Sequence, residues 1–469
     1  MGCLWAFAAA AALAADMPFV EVDPQSSTAF RERGTDKPFV AIGVNYFDHQ
    51  TGWAPKLWQR FDETRVREQL ALLRDQGFNT IRVFITLQSF EREAGALTPE
   101  GRDRFRQLLD LCKQCSIYVI PTGPELWEGR PDWCSGDRFA DEAMLAAEES
   151  WWRAFTAAFA GEPAILAWDL ANEPAVGWTS PAMQSKWNEW LVARYHTREA
   201  IAAAWNTPLD KLEPAGQIEA PPAKPARGNR KLLDYQHFRE HLGDAWARRM
   251  TAAIRAVDRN HMVTIGQIQW ASPLLLPSIQ HYAGFDLRSS AKYVDFTTIH
   301  FYALASPRPC DSPEGIGANR IYLQALLAEC RDAGKPVMLG EFGWYGGGGL
   351  KQGNLPDKPV EHQAEWCNAL LDVSRGQVCG WLNWAFADPP EATDLSRWSG
   401  LWTEDLKLKP WGKDFGEFAR GNTRRPQPSR PLDAFLSRTR LDRAAALTDP
   451  AVGNEYRQGL MRASTSPGE

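Results

Sequence analysis

Eight short apolar runs rich in β-branched and aromatic residues recur along this chain, separated by stretches with helical periodicity. That alternation is the pattern of parallel βα units. The runs are 39–47, 80–86, 117–122, 164–171, 262–270, 294–302, 337–344 and 378–386. Between them, 62–76 carries Val66, Leu70 and Leu73 on one helical face and stops at Gly77. Thr98-Pro99 reads as the cap of a helix that aligns Phe105, Leu108, Leu109 and Cys112. Further helices are predicted over 141–159, 321–333 and 360–374. Eight strands with intervening helices fit a (β/α)8 TIM barrel, a single domain over 16–420 with its site at the strand C-termini. A doubly wound sheet is the rival, but no glycine-rich phosphate turn follows an early strand. The run Gly346 to Gly349 lacks both the Lys-Ser/Thr of a P-loop and dinucleotide-fingerprint spacing, so it reads as a βα loop.

Three segments fall outside the repeat. Residues 206–230 contain five prolines and read as an extended crossing between the fourth and fifth units. Residues 421–469 read as a short, polar C-terminal tail. Residues 1–15 resemble the apolar core of a secretory signal peptide, without the usual positive start, so a secreted or periplasmic location is expected. No other run is long enough to span a bilayer.

Composition removes several function classes. The net charge of −6 and pI near 5.9 argue against a nucleic-acid partner. The 21 tryptophans suit a large core or a groove on which flat apolar faces stack. Cys112 and Cys115 form a C-x-x-C inside a helical pattern, with no second pair at zinc-like spacing, and read as helix or core residues. The histidines show no ligand spacing, and neither a metal nor a cofactor is expected.

The chemistry should lie where strands end. The fourth run closes on Asn172-Glu173-Pro174, and the seventh on Glu341-Phe342-Gly343. In an eight-stranded barrel these ends face one another across the mouth. Paired carboxylates over a cleft are what glycoside cleavage needs, one protonating the leaving oxygen and one attacking or activating water.

These strings, with His300-Phe301-Tyr302 after the sixth run, resemble the retaining (β/α)8 glycoside hydrolases of the clan that includes family 5, the cellulase and β-mannanase family. The resemblance implies acid/base duty for Glu173, nucleophilic duty for Glu341, and a contact from Asn172 to the sugar 2-hydroxyl. It further implies that Arg82 pairs with the nucleophile, that His300 contacts the acid/base and Tyr302 the nucleophile, and that Trp384 rather than Trp381 is the sugar platform. Trp344 and Trp127 are expected on the same rim. One departure is the third run, which reads Val119-Ile120-Pro121-Thr122-Gly123 where cellulase-type members often carry a histidine. The Trp-rich stretch from Trp187 to Asn206 resembles family 42 β-galactosidases, which makes that activity the runner-up.

The expected function is therefore a retaining β-glycosidase acting on a neutral oligo- or polysaccharide of the β-mannan or β-glucan type. An inactive carbohydrate-binding protein on the same barrel is the reading from a different class. Specificity is assigned to the loops 88–96, 125–137, 303–319 and 346–358, whose residues do not name the sugar.

Overall fold

The computed structural model describes residues 17–465 except 54, 130, 132–133, 225, 273–281, 304–311, 344–359, 393–394 and 422–442. The signal-like stretch, Trp344, residues 304–311 of loop 303–319 and the whole of loop 346–358 lie outside the described residues.

Eight parallel strands close into a barrel in chain order. We number them β1 (Ala41–Asn45), β2 (Thr80–Thr86), β3 (Tyr118–Glu125), β4 (Ala167–Asn172), β5 (Met262–Ile268), β6 (Thr297–Phe301), β7 (Val337–Phe342) and β8 (Gly380–Asn383). β4 pairs with β5 and β8 pairs with β1, so no edge is left unpaired. Every expected strand is present. Most are shorter than the apolar runs that announce them, because a run continues into buried loop residues after ladder pairing stops. β3 differs in the other direction and extends past Thr122 to Glu125.

Capping side chains mark where the helices begin. Asp62 accepts from the Arg65 N–H, Thr98 from Gly101 and Asp141 from Ala143 and Met144, each worth about 1 kcal/mol. The helices 63–75, 99–115 and 142–159 then place Leu70, Leu109 and Phe155 against the barrel. Cys112 and Cys115 are buried at the end of the second of these, and neither is in a disulfide.

Three parts were not anticipated as they stand. An antiparallel sheet of Val20–Val22, Phe30–Glu32 and Pro38–Phe39 covers the N-terminal end of the barrel, with Phe30 edge-on to Phe296 at 5.0 Å and Phe39 to Tyr118 at 4.8 Å. A helix of 26 residues, Arg230–Arg255, follows the proline-rich crossing and packs on helix 142–159. The described part of the C-terminal tail forms helices 443–448 and 450–465, and Leu447 is buried with Leu232 and Tyr282 against that long helix.

Candidate active site

The C-terminal mouth of the barrel is built on a polar floor. Asn45, Arg82, Thr122, Asp169 and His300 all point inward there and are buried. Strand alternation puts residues two apart on one face, so Arg82 and Phe84 on β2, or His300 and Tyr302 at the end of β6, share a direction.

Arg82 is the centre of that floor. Its Nε lies 2.8 Å from Asp169 Oδ2, its Nη1 3.0 Å from Asn45 Oδ1 and 2.7 Å from Glu341 Oε1, and its Nη2 2.9 Å from Asn172 Oδ1. A fully buried guanidinium is stable only when paired and hydrogen-bonded, and this one meets two carboxylates and two amides. Space for it comes from Gly266 on β5, where a Cβ would stand 2.6 Å from Nη2. Asp169 is held from three sides, by Arg82, by the Thr122 hydroxyl at 2.8 Å and by the Gly266 N–H at 2.6 Å.

Glu341, on β7, is almost completely buried. Besides Arg82, it accepts the Tyr302 hydroxyl on its other oxygen at 2.6 Å. Burial pushes this carboxyl up and the charge of Glu173 adds to the push, while His300, Arg82 and the Tyr302 hydrogen bond pull it back. Gly340 beside it admits β6, since a Cβ there would stand 2.2 Å from the Thr298 methyl group.

Glu173 follows β4 in the left-handed region, at φ 48°. A residue other than glycine pays roughly 1–2 kcal/mol there, so the turn persists only because its surroundings hold it. Two hydrogen bonds do so. The Glu173 N–H donates to Gly266 O at 2.7 Å, and the Asn172 N–H donates to the Glu125 carboxylate at 2.6 Å. Burial raises the Glu173 carboxyl to about 7, with Arg82 opposing. His300 is lowered to about 4 by burial and is therefore neutral at pH 7. Its Nδ1 lies 2.9 Å from Glu173 Oε1, while its buried Nε2 has no hydrogen-bond partner among the described residues. We assign the ring proton to Nδ1, where an acceptor exists.

One oxygen of Glu173, one of Glu341 and a His300 nitrogen all lie within 4.8 Å of one another. A divalent ion here would have to share Glu341 with the Arg82 guanidinium, so the donor set suits hydrogen-bonded carboxylates better than a metal.

Above the floor stands an aromatic wall. Trp384, after β8, packs with Phe47 and Phe84, and Tyr302 lies against the cluster. Only 8% of Trp384 is exposed, whereas Trp53 and Trp127 are 41% and 38% exposed, with ring centroids 5.3 Å apart. Trp53 also approaches Trp384 at 5.8 Å. Trp381 points the other way, its indole N–H donating to Ser374.

Glu173, Glu341, Arg82, Asn172, His300, Tyr302 and Trp384 gather at this mouth, as does Trp127, whereas Trp344 lies outside the described residues. Asp169, Asn45, Glu125 and Trp53 were missed. The first two sit in strands that read as plain apolar runs, Glu125 ends a strand that reads as finished at Thr122, and Trp53 lies in a segment where no spacing rule applies. The one available sign was the polarity of Asp169 inside an otherwise buried run, since a buried carboxylate demands a partner.

The chain resembles known glycosidases in two ways. The cellulase family, glycosyl hydrolase family 5, matches residues 35–210, which hold β1 to β4. The β-galactosidase family 42 matches residues 127–345, which hold β4 to β7. Mannan endo-1,4-β-mannosidase A of Podospora anserina is 29% identical over 146 residues, 30% of this chain and 35% of that protein. The chain thus matches about a third of the length of that relative. Among solved structures, an exo-β-1,4-mannosidase from Opitutaceae bacterium strain TAV5 shares the fold with a TM-score of 0.57 at 20% identity, over 84% of this chain and 61% of the other. A GH5_18 protein from Streptomyces cattleya, a variant in complex with Manβ1-4GlcNAc, gives 0.63 at 20% identity over 91% of both chains. The sequence is thus similar to family 5 over β1 to β4, and the fold is shared with these solved structures.

Proposed function

We propose that this protein is a retaining β-glycosidase that cleaves neutral β-linked glycans, with β-mannosides as the first class to test. The observation that carries the reading is the pair of carboxylates on β4 and β7, whose nearest oxygens fall within 4.8 Å. Retaining enzymes hold their carboxyls ~5–5.5 Å apart and inverting enzymes ~6.5–9.5 Å, because only the latter must fit a water between.

The two environments suggest opposite duties. Glu341, held by Arg82 and Tyr302, is oriented as a nucleophile, its oxygens fixed before substrate arrives. Glu173, raised to about 7 and facing the cleft, can keep a proton at neutral pH and give it to the leaving oxygen. Attack by Glu341 on the anomeric carbon breaks the glycosidic bond as that proton moves, giving a glycosyl-enzyme. Glu173, now ionised, takes a proton from water, which displaces Glu341 and regenerates both groups. Asn172, its Oδ1 committed to Arg82, keeps its amide N–H groups to donate to a sugar hydroxyl.

Support for mannose comes from the relatives, one a mannan endo-mannosidase, one an exo-mannosidase and one seen with Manβ1-4GlcNAc. Exposed Trp53 and Trp127 would stack on the flat faces of a neutral sugar. Product analysis on β-mannan, β-glucan, xylan and aryl glycosides, with the product anomer read by NMR during the first turnovers, tests both halves of the proposal. Release of the inverted anomer, or no turnover on any β-glycoside, would overturn it.

A further inference from the structure

Glu125 is a buried carboxylate at the mouth that the mechanism above does not use. It stands at the end of β3, three residues beyond Thr122, only 4% exposed. Burying a carboxyl is unfavourable unless it meets a donor, and its donor is the backbone N–H of Asn172, at 2.6 Å. The Asn172–Glu173 segment is thereby gripped between two neighbouring strands, by Glu125 of β3 on one side and the Gly266 carbonyl of β5 on the other. The grip matters because Glu173 sits at φ 48°, a backbone setting that the chain does not favour unaided. The end of β3 is itself braced, since the Arg138 guanidinium donates to Pro124 O at 3.1 Å.

Resting on the proposed roles of the two glutamates, we propose that Glu125 is a positioning residue. By accepting the Asn172 N–H it fixes the pose from which Glu173 delivers its proton. Glu341 is mounted on β7 and does not depend on this anchor. Loss of the anchor should therefore harm protonation of the leaving group more than nucleophilic attack.

The test uses the full chain and two aryl β-mannosides, one with a dinitrophenyl and one with a phenyl leaving group. If the product panel names glucose, the matching glucosides replace them. Glu125→Ala should lower kcat/KM, which reports the step in which the leaving group departs, about 10- to 100-fold more on the phenyl glycoside than on the dinitrophenyl one, the scale of a misplaced catalytic group. Glu125→Gln, whose amide oxygen can still accept the N–H, should keep the wild-type ratio. Glu125→Asp keeps the charge but not the reach, and should behave like Ala. This Gln and Asp pair decides the matter even if the Ala variant fails to fold. Equal losses on both substrates, or an Asp variant that works while Gln does not, would overturn the inference. Glu173→Ala is measured alongside. If it too shows no leaving-group selectivity, the assigned acid/base role falls and this inference with it; if it is selective and Glu125→Ala is not, only the positioning role falls.

Discussion

The ends of β4 and β7 carry the same side chain for different physical ends. Glu341 lies in a regular strand, enclosed, with each oxygen already engaged by Arg82 or Tyr302. Glu173 lies just beyond its strand in a left-handed turn, faces the cleft, and touches a neutral histidine. A carboxylate fixed beside a guanidinium is suited to attack, and one raised towards neutrality is suited to proton transfer. On the proposed roles, environment rather than residue type divides the labour.

The largest expected effect comes from removing the fixed partner. Glu341→Ala should abolish turnover on every substrate, and added azide should not restore a product of retained configuration, as chromatography of the products would reveal. Residual activity within tenfold of wild type would mean that β7 does not supply the nucleophile.

Next comes the other side of the pair. Glu173→Ala should reduce kcat/KM by about 10²–10⁴ on glycosides with poor leaving groups, and far less on activated aryl glycosides that need no proton to depart. Stopped-flow or steady-state rates across a leaving-group series would expose a uniform loss, which the comparison forbids.

A pH effect should follow from the same residue. In its proposed role of general acid Glu173 must be protonated, so kcat/KM should fall as pH rises through about 7. Stability runs the same way. Its folded value lies above the ordinary 4.5, so folding favours the protonated form below pH 4.5, and that advantage is lost as pH rises to about 7. Glu173→Gln has no such charge to bury, and should melt higher than the wild type at pH 8 but not at pH 4. Equal melting temperatures at pH 8 would show that the carboxyl is not held out of water.

The smallest effect belongs to the rim. Trp127→Ala and Trp53→Ala should each raise KM by roughly 5- to 30-fold, as expected for about 1–2 kcal/mol of lost stacking, with kcat little changed. Added salt should leave KM nearly constant, since a neutral glycan brings no charge to screen. A steep salt dependence would instead point to an acidic polymer.

Local pattern is what the chain displays openly. Strand runs, helix caps and the strings around Glu173, His300 and Glu341 depend on neighbours in sequence, so the barrel and its two carboxylates can be read from residue order. Even Arg82 can be placed, but only because its strand resembles a known family. Boundaries were less legible, as with β3, where a run that looked finished at Thr122 goes on to Glu125.

What only the tertiary structure decided is which polar groups meet. Arg82 and Asp169 are 87 residues apart, and Glu125 and Asn172 are 47 apart, and no periodicity links them; the contact of Arg82 with Glu341, 259 residues away, was expected only from the family resemblance. How far each ring is exposed was likewise invisible: Trp384 is largely covered by Phe47, just after β1, and Phe84 of β2, while Trp53 and the expected rim residue Trp127 stay open. Side-chain identity and spacing determined the scaffold, since helices and strands arise from short-range sterics and hydrogen bonding. The pairing of charges and the exposure of rings came only with barrel closure, because both depend on distances that the chain sets by folding.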